Sequence, residues 1–284
     1  MRQFYFLFFL HNFFQMFITI ITDCNDTHTF GRQLTRAASL FDSVPIPVSI
    51  YGGFDEPTDL EAGFSLIDTL DAARGHYGLV MLNKAPRSGK AKKWKNGTPF
   101  GYFWFKDTLI VSTVDGYVLS VAKKLGMVDE VKLFDIPTVM NWAKGSLLDE
   151  FDADYIINTQ FRSFEFMPRV AKWVFDKLDV PFEIMPIDDI VQAPMCVAVI
   201  DNFGNLKTTV LPQEIGFETG KTINLEGFGE LICYDRLKDL PNGESGIIIG
   251  SSGYKENRFI EIMTQGQSAK EKFNAKIGTL IKVV

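Results

Sequence analysis

Residues 16–26 read MFITIITDCND. Residues 17–21 are an apolar, largely β-branched run, the composition of a strand buried on both faces, and the chain then turns polar at once in Thr22-Asp23-Cys24-Asn25-Asp26. From Phe30 to Phe41 the apolar positions fall at helical spacing, so the opening is a strand, a polar loop and a helix. The order recurs: 47–51 reads as a strand, 59–73 as an amphipathic helix opened by Thr58 or Asp59, and 78–82 as another buried strand. Strands alternating with helices predict a mostly parallel sheet with helices on both faces. In such sheets ligands sit at the carboxyl ends of strands, so the loops after Thr22 and after Leu82 are where a site is expected. Farther on, 102–105 with 108–112 reads as a hairpin, and 118–125 and 166–178 read as helices.

Between residues 181 and 194 the texture changes, because prolines stand at 181, 186 and 194 and helical periodicity fades. Beyond them come six short apolar runs, at 196–200, 206–210, 222–225, 230–234, 246–249 and 259–263, parted by Gly, Asn and Pro turns. The expected fold class is therefore α/β: an amino-terminal α/β domain at 16–180 with a mostly parallel sheet, followed by a smaller carboxyl-terminal domain at 195–284 whose strand spacing suggests a small β-barrel or sandwich. Residues 1–15, MRQFYFLFFLHNFFQ, superficially resemble a signal peptide, but His11, Asn12 and Gln15 cut the apolar run and no small-residue cleavage site follows. They read as a dispensable or spurious extension, with Met16 a natural start.

The composition is that of a globular protein of 284 residues: 46% apolar and 23% charged, with a net charge of −6 that gives no reason to expect nucleic acid. Three cysteines, far apart and with no C-x-x-C pair, fit reduced thiols and a cytoplasmic location. Three histidines without ligand spacing leave little material for a metal centre. No membrane span is expected.

Two loops can carry chemistry. Asp23, with Asn25 beside it, follows a buried strand, where a carboxylate can accept both hydroxyls of a ribose; an Asx-capped turn is the alternative. The second is IDNFGNLKTT at 200–209, where Phe203 offers a flat face for a purine or a sulfonium, and a hairpin built on Gly204 is the alternative. A third segment, 84–95, is locally basic: a solvated loop, or a lid or phosphate clamp beside the site.

These loops, with others in the same order, resemble the S-adenosylmethionine hydroxide adenosyltransferases and their fluorinase and chlorinase relatives. IITDCND resembles the family's strand ending in T-D or S-D, and PTDLEAG at 57–63 resembles its P-x-D-[IV]-E-x-[GA] helix start. Asp115-Gly116 sits where the family has asparagine and glycine, and Phe161 to Glu165 falls on its T-F-x-x-[RED] segment. IDNFGNLKTT matches I-D-x-F-G-N-[LV]-x-T-N without a gap, and Gly250 to Tyr254 resembles N-S-x-G-x. The resemblance covers the chain from Met16 onward. It implies an α/β domain plus a β-barrel assembled as a homotrimer, with S-adenosylmethionine as substrate, no separate cofactor, and the ligand between the first domain of one subunit and the second domain of its neighbour. By the same resemblance Asp23 holds the ribose, Asp201 and Asn205 hold the methionine amino and carboxylate groups, Phe203 packs on the ligand, and Ser251 meets the adenine.

The resemblance fails where water would be activated. Asn83, Lys90 and Arg162 stand where hydrolytic members carry an aspartate, an arginine and a histidine. Asn83 is no general base, and Arg162 stays protonated. Ser163 falls on a serine of the fluorinase halide site, whereas Asn83 and Pro86 replace its tyrosine and threonine. The catalytic candidates are thus Asn83, Arg162 and Ser163, with the nucleophile left open between water, halide and another anion. Displacement at C5′ expels a neutral thioether, so positioning can supply much of the rate. The expected activity is cleavage of S-adenosylmethionine to adenosine or a 5′-substituted deoxyadenosine and L-methionine; the alternatives are a non-catalytic sensor on the same fold and an enzyme acting on a phosphorylated nucleoside.

Overall fold

The computed structural model describes residues 16–51, 57–84 and 97–284. The extension at 1–15 and most of the basic segment, 85–95 with Pro86 and Lys90, lie outside the described residues.

The first domain runs β1 (Phe17–Thr22), α1 (Thr27–Phe41), β2 (Ile46–Ser49), α2 (Asp59–Ala73), β3 (Gly78–Asn83), β4 (Phe100–Phe105), β5 (Thr108–Thr113), α3 (Ser120–Lys124), β6 (Glu130–Leu133), α4 (Ile136–Ala143), α5 (Glu150–Asn158), α6 (Arg162–Glu165), α7 (Met167–Phe175) and β7 (Glu183–Pro186). Its seven strands form one sheet in the order β2-β1-β3-β5-β4-β6-β7. Only β2, β1, β3 and β5 are mutually parallel. The expectation of a mostly parallel sheet is corrected: β4, β6 and β7 pair antiparallel, so the sheet is mixed. The cause is local, since only Lys106 and Asp107 separate β4 from β5 and so short a turn can join only antiparallel strands. The segment 181–194 supplies the edge strand β7.

Strands β3 and β5 are buried along their whole length, because both faces are covered. Ile18, Ile20, Leu79, Met81, Leu109 and Val111 pack under α1, α4, α5 and α7. Ile21, Val80, Leu82 and Ile110 pack under α2 and α3. Helix α2 comes close to the start of α3 because position 63 is glycine: a Cβ there would stand 2.7 Å from the Val118 carbonyl oxygen.

The second domain comprises β8 (Val197–Ile200), β9 (Leu206–Thr208), β10 (Thr222–Leu225), β11 (Gly229–Tyr234), β12 (Ser245–Tyr254), β13 (Asn257–Thr264) and α8 (Ala269–Phe273), with the sheet order β10-β11-β12-β13-β9-β8. The six strands form one sheet, compatible with the expected barrel without establishing it, and among the described residues no ladder joins the outer strands β10 and β8 directly. The tail serves both edges instead. Ile281 N donates to Met195 O at 2.8 Å and Val197 N to Thr279 O at 2.9 Å, while Glu226 N donates to Lys282 O at 2.9 Å and Val284 N to Asn224 O at 3.0 Å. Edge strands carry unpaired backbone groups, and this tail meets that need on both sides.

Helix α2 also joins the two domains. Leu60, Phe64 and Ile67 share one apolar core with Cys196, Ala198, Leu211 and Phe259, and the Phe64 and Phe259 rings lie 5.4 Å apart. Burial pushes the Cys196 thiol up to about 11, so it stays protonated and acts as a small apolar group. Around this core Asp68 accepts from Ser252 Oγ at 2.8 Å and Gly253 N at 3.1 Å, and Asp71 pairs with Arg258 at 2.9 Å. Among the described residues no helix is long and apolar enough to cross a membrane.

Because Phe259 is 1% exposed and belongs to the core that both domains share, Phe259→Ala is expected to lower stability by about 3–5 kcal/mol. Urea unfolding should still show one transition, with its midpoint moved down.

Candidate functional site

Strands β1 and β3 end side by side, with Thr22 opposite Asn83. Their next residues meet as a buried ion pair: Lys84 Nζ stands 3.2 Å from Asp23 Oδ2, the two side chains being 3% and 2% exposed. The same ammonium donates to the Tyr51 carbonyl at 3.1 Å, and the Lys84 backbone N–H donates to Thr113 Oγ1 at 3.1 Å. The carboxyl ends of β1, β2, β3 and β5 are thereby tied at one lysine. Asn25 adds a second tie to the end of β2, donating to Ile50 O at 2.8 Å.

Asn83, expected among the catalytic residues, is 4% exposed. Its amide donates to Thr22 Oγ1 at 3.2 Å and to Cys24 Sγ at 3.6 Å, so that side of it links strand ends.

In front of these strand ends lies a cleft of about 800 Å³ whose lining includes Asp23, Asn83, Thr113, Arg162, Ser163 and, from α1, Arg32. Its far wall is α6, held in place by Glu165, which pairs with Arg36 of α1 at 2.9 Å and Arg169 of α7 at 2.8 Å. Ser163 Oγ accepts from Gln33 Nε2 at 3.2 Å. Arg32 and Arg36 lie over the Phe164 ring at 4.2 and 4.7 Å from its centre. Arg162 is different: its Nε is buried with no hydrogen-bond partner among the described residues, and burial pushes its pKa down. Gly97 faces it, and a Cβ there would come within 2.8 Å of the Arg162 Nη1.

The cleft therefore brings together Asp23, Asn83, Arg162 and Ser163. It does not bring in Asp201, Phe203, Asn205 or Ser251, which belong to the second domain of the same chain. There Asp201 organises a turn, accepting at 2.9 Å each from Phe203 N, Asn205 N and Asn205 Nδ2. Gly204 has φ 80°, which favours glycine, and Ser268 Oγ would lie 2.1 Å from a Cβ there. The turn holds Phe203 out at 80% exposure. Ser251 Oγ accepts from Lys207 Nζ at 3.2 Å, and that ammonium also pairs with Glu261 at 3.0 Å. Among the described residues no group of three or more His, Cys, Asp or Glu side chains is placed to hold a metal ion.

Residues 195–282, which contain this turn, match the family model described as SAM hydroxide adenosyltransferase C-terminal domain. The match supports the family read from the sequence motifs, the S-adenosylmethionine hydroxide adenosyltransferases and their fluorinase-like relatives. No curated protein matches. Among solved structures, an uncharacterized conserved protein from Thermotoga maritima aligns over 94% of this chain and 100% of its own at 16% identity, TM-score 0.66. A conserved hypothetical protein from Thermus thermophilus aligns over 95% and 100% at 15% identity, TM-score 0.59. At such identities these two support the fold, including the pairing of both domains in one chain, and nothing finer.

Sequence reasoning missed the pairing of Lys84, placing it in a basic run read as a solvated loop or as a lid or phosphate clamp. The available signal was its position, directly after a fully buried strand and level with Asp23. Removing one member of a buried pair strands the other charge, so Lys84→Met is expected to cost about 3–5 kcal/mol. Lys84→Met combined with Asp23→Asn should recover much of that loss in urea unfolding, because no unpaired charge remains.

Proposed function

We propose that the protein binds S-adenosylmethionine and cleaves it at C5′, releasing L-methionine and an adenosyl product. One observation carries this reading: a chain whose residues 195–282 match the SAM hydroxide adenosyltransferase C-terminal domain also presents, at the carboxyl ends of β1 and β3, a cleft of about 800 Å³ walled by Asp23. Ligands of open α/β sheets occupy that position. In this reading Asp23 and Asn25 form the ribose end of the site, and Asp201 and Asn205 take the methionine amino and carboxylate groups. Phe203 packs on the ligand and Ser251 meets the adenine.

These two groups lie apart within one chain, so the proposed site is completed by a neighbouring copy, as a homotrimer would allow. Phe203, 80% exposed on its turn, would be the side chain that enters a partner's cleft. The chemistry is an in-line displacement: the C5′–S bond breaks and its electron pair stays on sulfur, which becomes the neutral thioether of methionine. Holding nucleophile, C5′ and sulfur in line supplies much of the rate without a strong base. S-adenosylmethionine is the substrate here and the chain acts in the cytoplasm, without nucleic acid or membrane.

A binding-only sensor is the second reading, favoured by one observation: the Asn83 amide and the Asp23 carboxylate are both engaged by neighbours within the cleft wall. Incubation with S-adenosylmethionine, followed by chromatography and isothermal titration, separates the two. The enzyme releases methionine and an adenosyl product in equal amounts, and Asn205→Ala should weaken binding about tenfold or more by removing hydrogen bonds to charged groups. Binding without methionine would identify the sensor. Absence of binding would sink both.

A further inference from the structure

We infer that Arg162, Arg32 and Ser163 form a subsite for an oxyanion, a carboxylate or phosphate group, which is the nucleophile toward C5′; the nucleophilic role rests on the adenosyl-transfer reading above.

Among the described arginines four serve structural contacts, and Arg74 does not line the cleft. Arg36 and Arg169 share Glu165, Arg258 pairs with Asp71, and Arg236 pairs with Asp239, so each serves a structural contact. Arg162 and Arg32 both line the cleft, and neither has an ion-pair partner among the described residues. The Arg162 Nε is buried without an acceptor, a position that costs desolvation energy until an acceptor arrives. The carboxylates of the cleft are already engaged: Asp23 by Lys84, and Asp26 by the first turn of α1, where it accepts from Thr29 N at 2.9 Å. Among the described residues no cleft carboxylate supplies the acceptor, which leaves that place to a ligand.

Ser163 points the same way. Its oxygen accepts from Gln33, which leaves its own O–H to donate. A guanidinium edge and a hydroxyl match two oxygens of one oxyanion, and arginine's planar fork suits carboxylate and phosphate. A halide fits less well, because a roomy cleft of about 800 Å³ does not by itself strip its hydration shell.

The chemistry agrees. Among the described lining residues no histidine and no unengaged carboxylate stands ready to deprotonate a neutral nucleophile. An oxyanion arrives deprotonated. One of its lone pairs forms the C5′–O bond, the C5′–S pair stays with methionine sulfur, one negative and one positive charge cancel, and no proton moves. Arg162 and Ser163 orient the oxyanion and hold its charge until the bond forms, while Gly97 leaves room for the guanidinium.

The test is isothermal titration of the full chain with sodium phosphate and, separately, sodium acetate, without S-adenosylmethionine and with sodium chloride as control. Saturable binding of at least one oxyanion is expected, weakened about tenfold or more in Arg162→Gln and less in Arg162→Lys, which keeps the charge and loses the fork. Circular dichroism checks folding, and Arg32→Gln gives an independent variant with the same expected direction. Equal affinity in wild type and Arg162→Gln, or chloride binding as tightly as the oxyanions, would overturn the subsite. In a second arm S-adenosylmethionine is added and products are weighed by mass spectrometry. A 5′-O-acetyl or 5′-phosphoryl adenosine formed one-for-one with methionine supports the nucleophilic role; methionine release that ignores the added oxyanion overturns it. If S-adenosylmethionine fails to bind, the functional reading and the nucleophilic role both fall, and the first arm still decides the subsite.

Discussion

A single ammonium holds the carboxyl ends of the sheet together. Lys84 pairs with Asp23 across β1 and β3, reaches the Tyr51 carbonyl after β2, and is fixed at its backbone by Thr113 of β5. At 3% and 2% side-chain exposure the pair has left water, so neither member can be lost without stranding a charge. This constraint shapes the cleft. With Asp23 compensated, Arg162 and Arg32 stand in the cleft wall without ion-pair partners among the described residues, against the one carboxylate of Asp26, so the cleft wall leans positive although the whole chain carries −6.

The second constraint is the docking of the two domains. Helix α2 buries one side against its own sheet and the other against Phe259 and its neighbours, with Asp68 and Asp71 clamping the β12–β13 hairpin around that core. Burial raises the Asp68 carboxyl above its ordinary value, and the hydrogen bonds from Ser252 and Gly253 offset part of that. The shared core fixes where the Asp201 turn can be: on the same chain, yet outside the cleft that Asp23 lines. Within the proposed function, that separation is what calls for a second copy.

Much of this was legible in the sequence. Helix α2 matches its expected bounds, Asp59–Ala73, because its apolar spacing is a local property. The buried run of β1 and the hairpin of β4 and β5 were legible for the same reason. Features set by distant residues were not. Nothing in the aromatic run of β4 tells that its other edge will take β6 antiparallel, and nothing in the strand spacing of the second domain tells that the tail will serve both sheet edges. Lys84 is the sharpest case, since its burial depends on a carboxylate 61 residues earlier. At the Asp201 turn the two readings proved compatible: Asp201 is hydrogen-bonded within its own turn, and that turn presents Phe203 to solvent.

In the proposed assembly Asp23 of one copy and the Asp201–Asn205 turn of another make one site. Subunit complementation tests it most directly. Asp23→Asn, combined with Lys84→Met so that no charge is stranded, and Asn205→Ala variants are purified separately, mixed, dissociated and reassociated, and S-adenosylmethionine binding is measured before and after. Each variant alone is expected to bind weakly, and mixing to restore part of the wild-type capacity, through interfaces at which both native groups meet. Capacity unchanged by mixing, in a sample whose subunits have demonstrably exchanged, would contradict it.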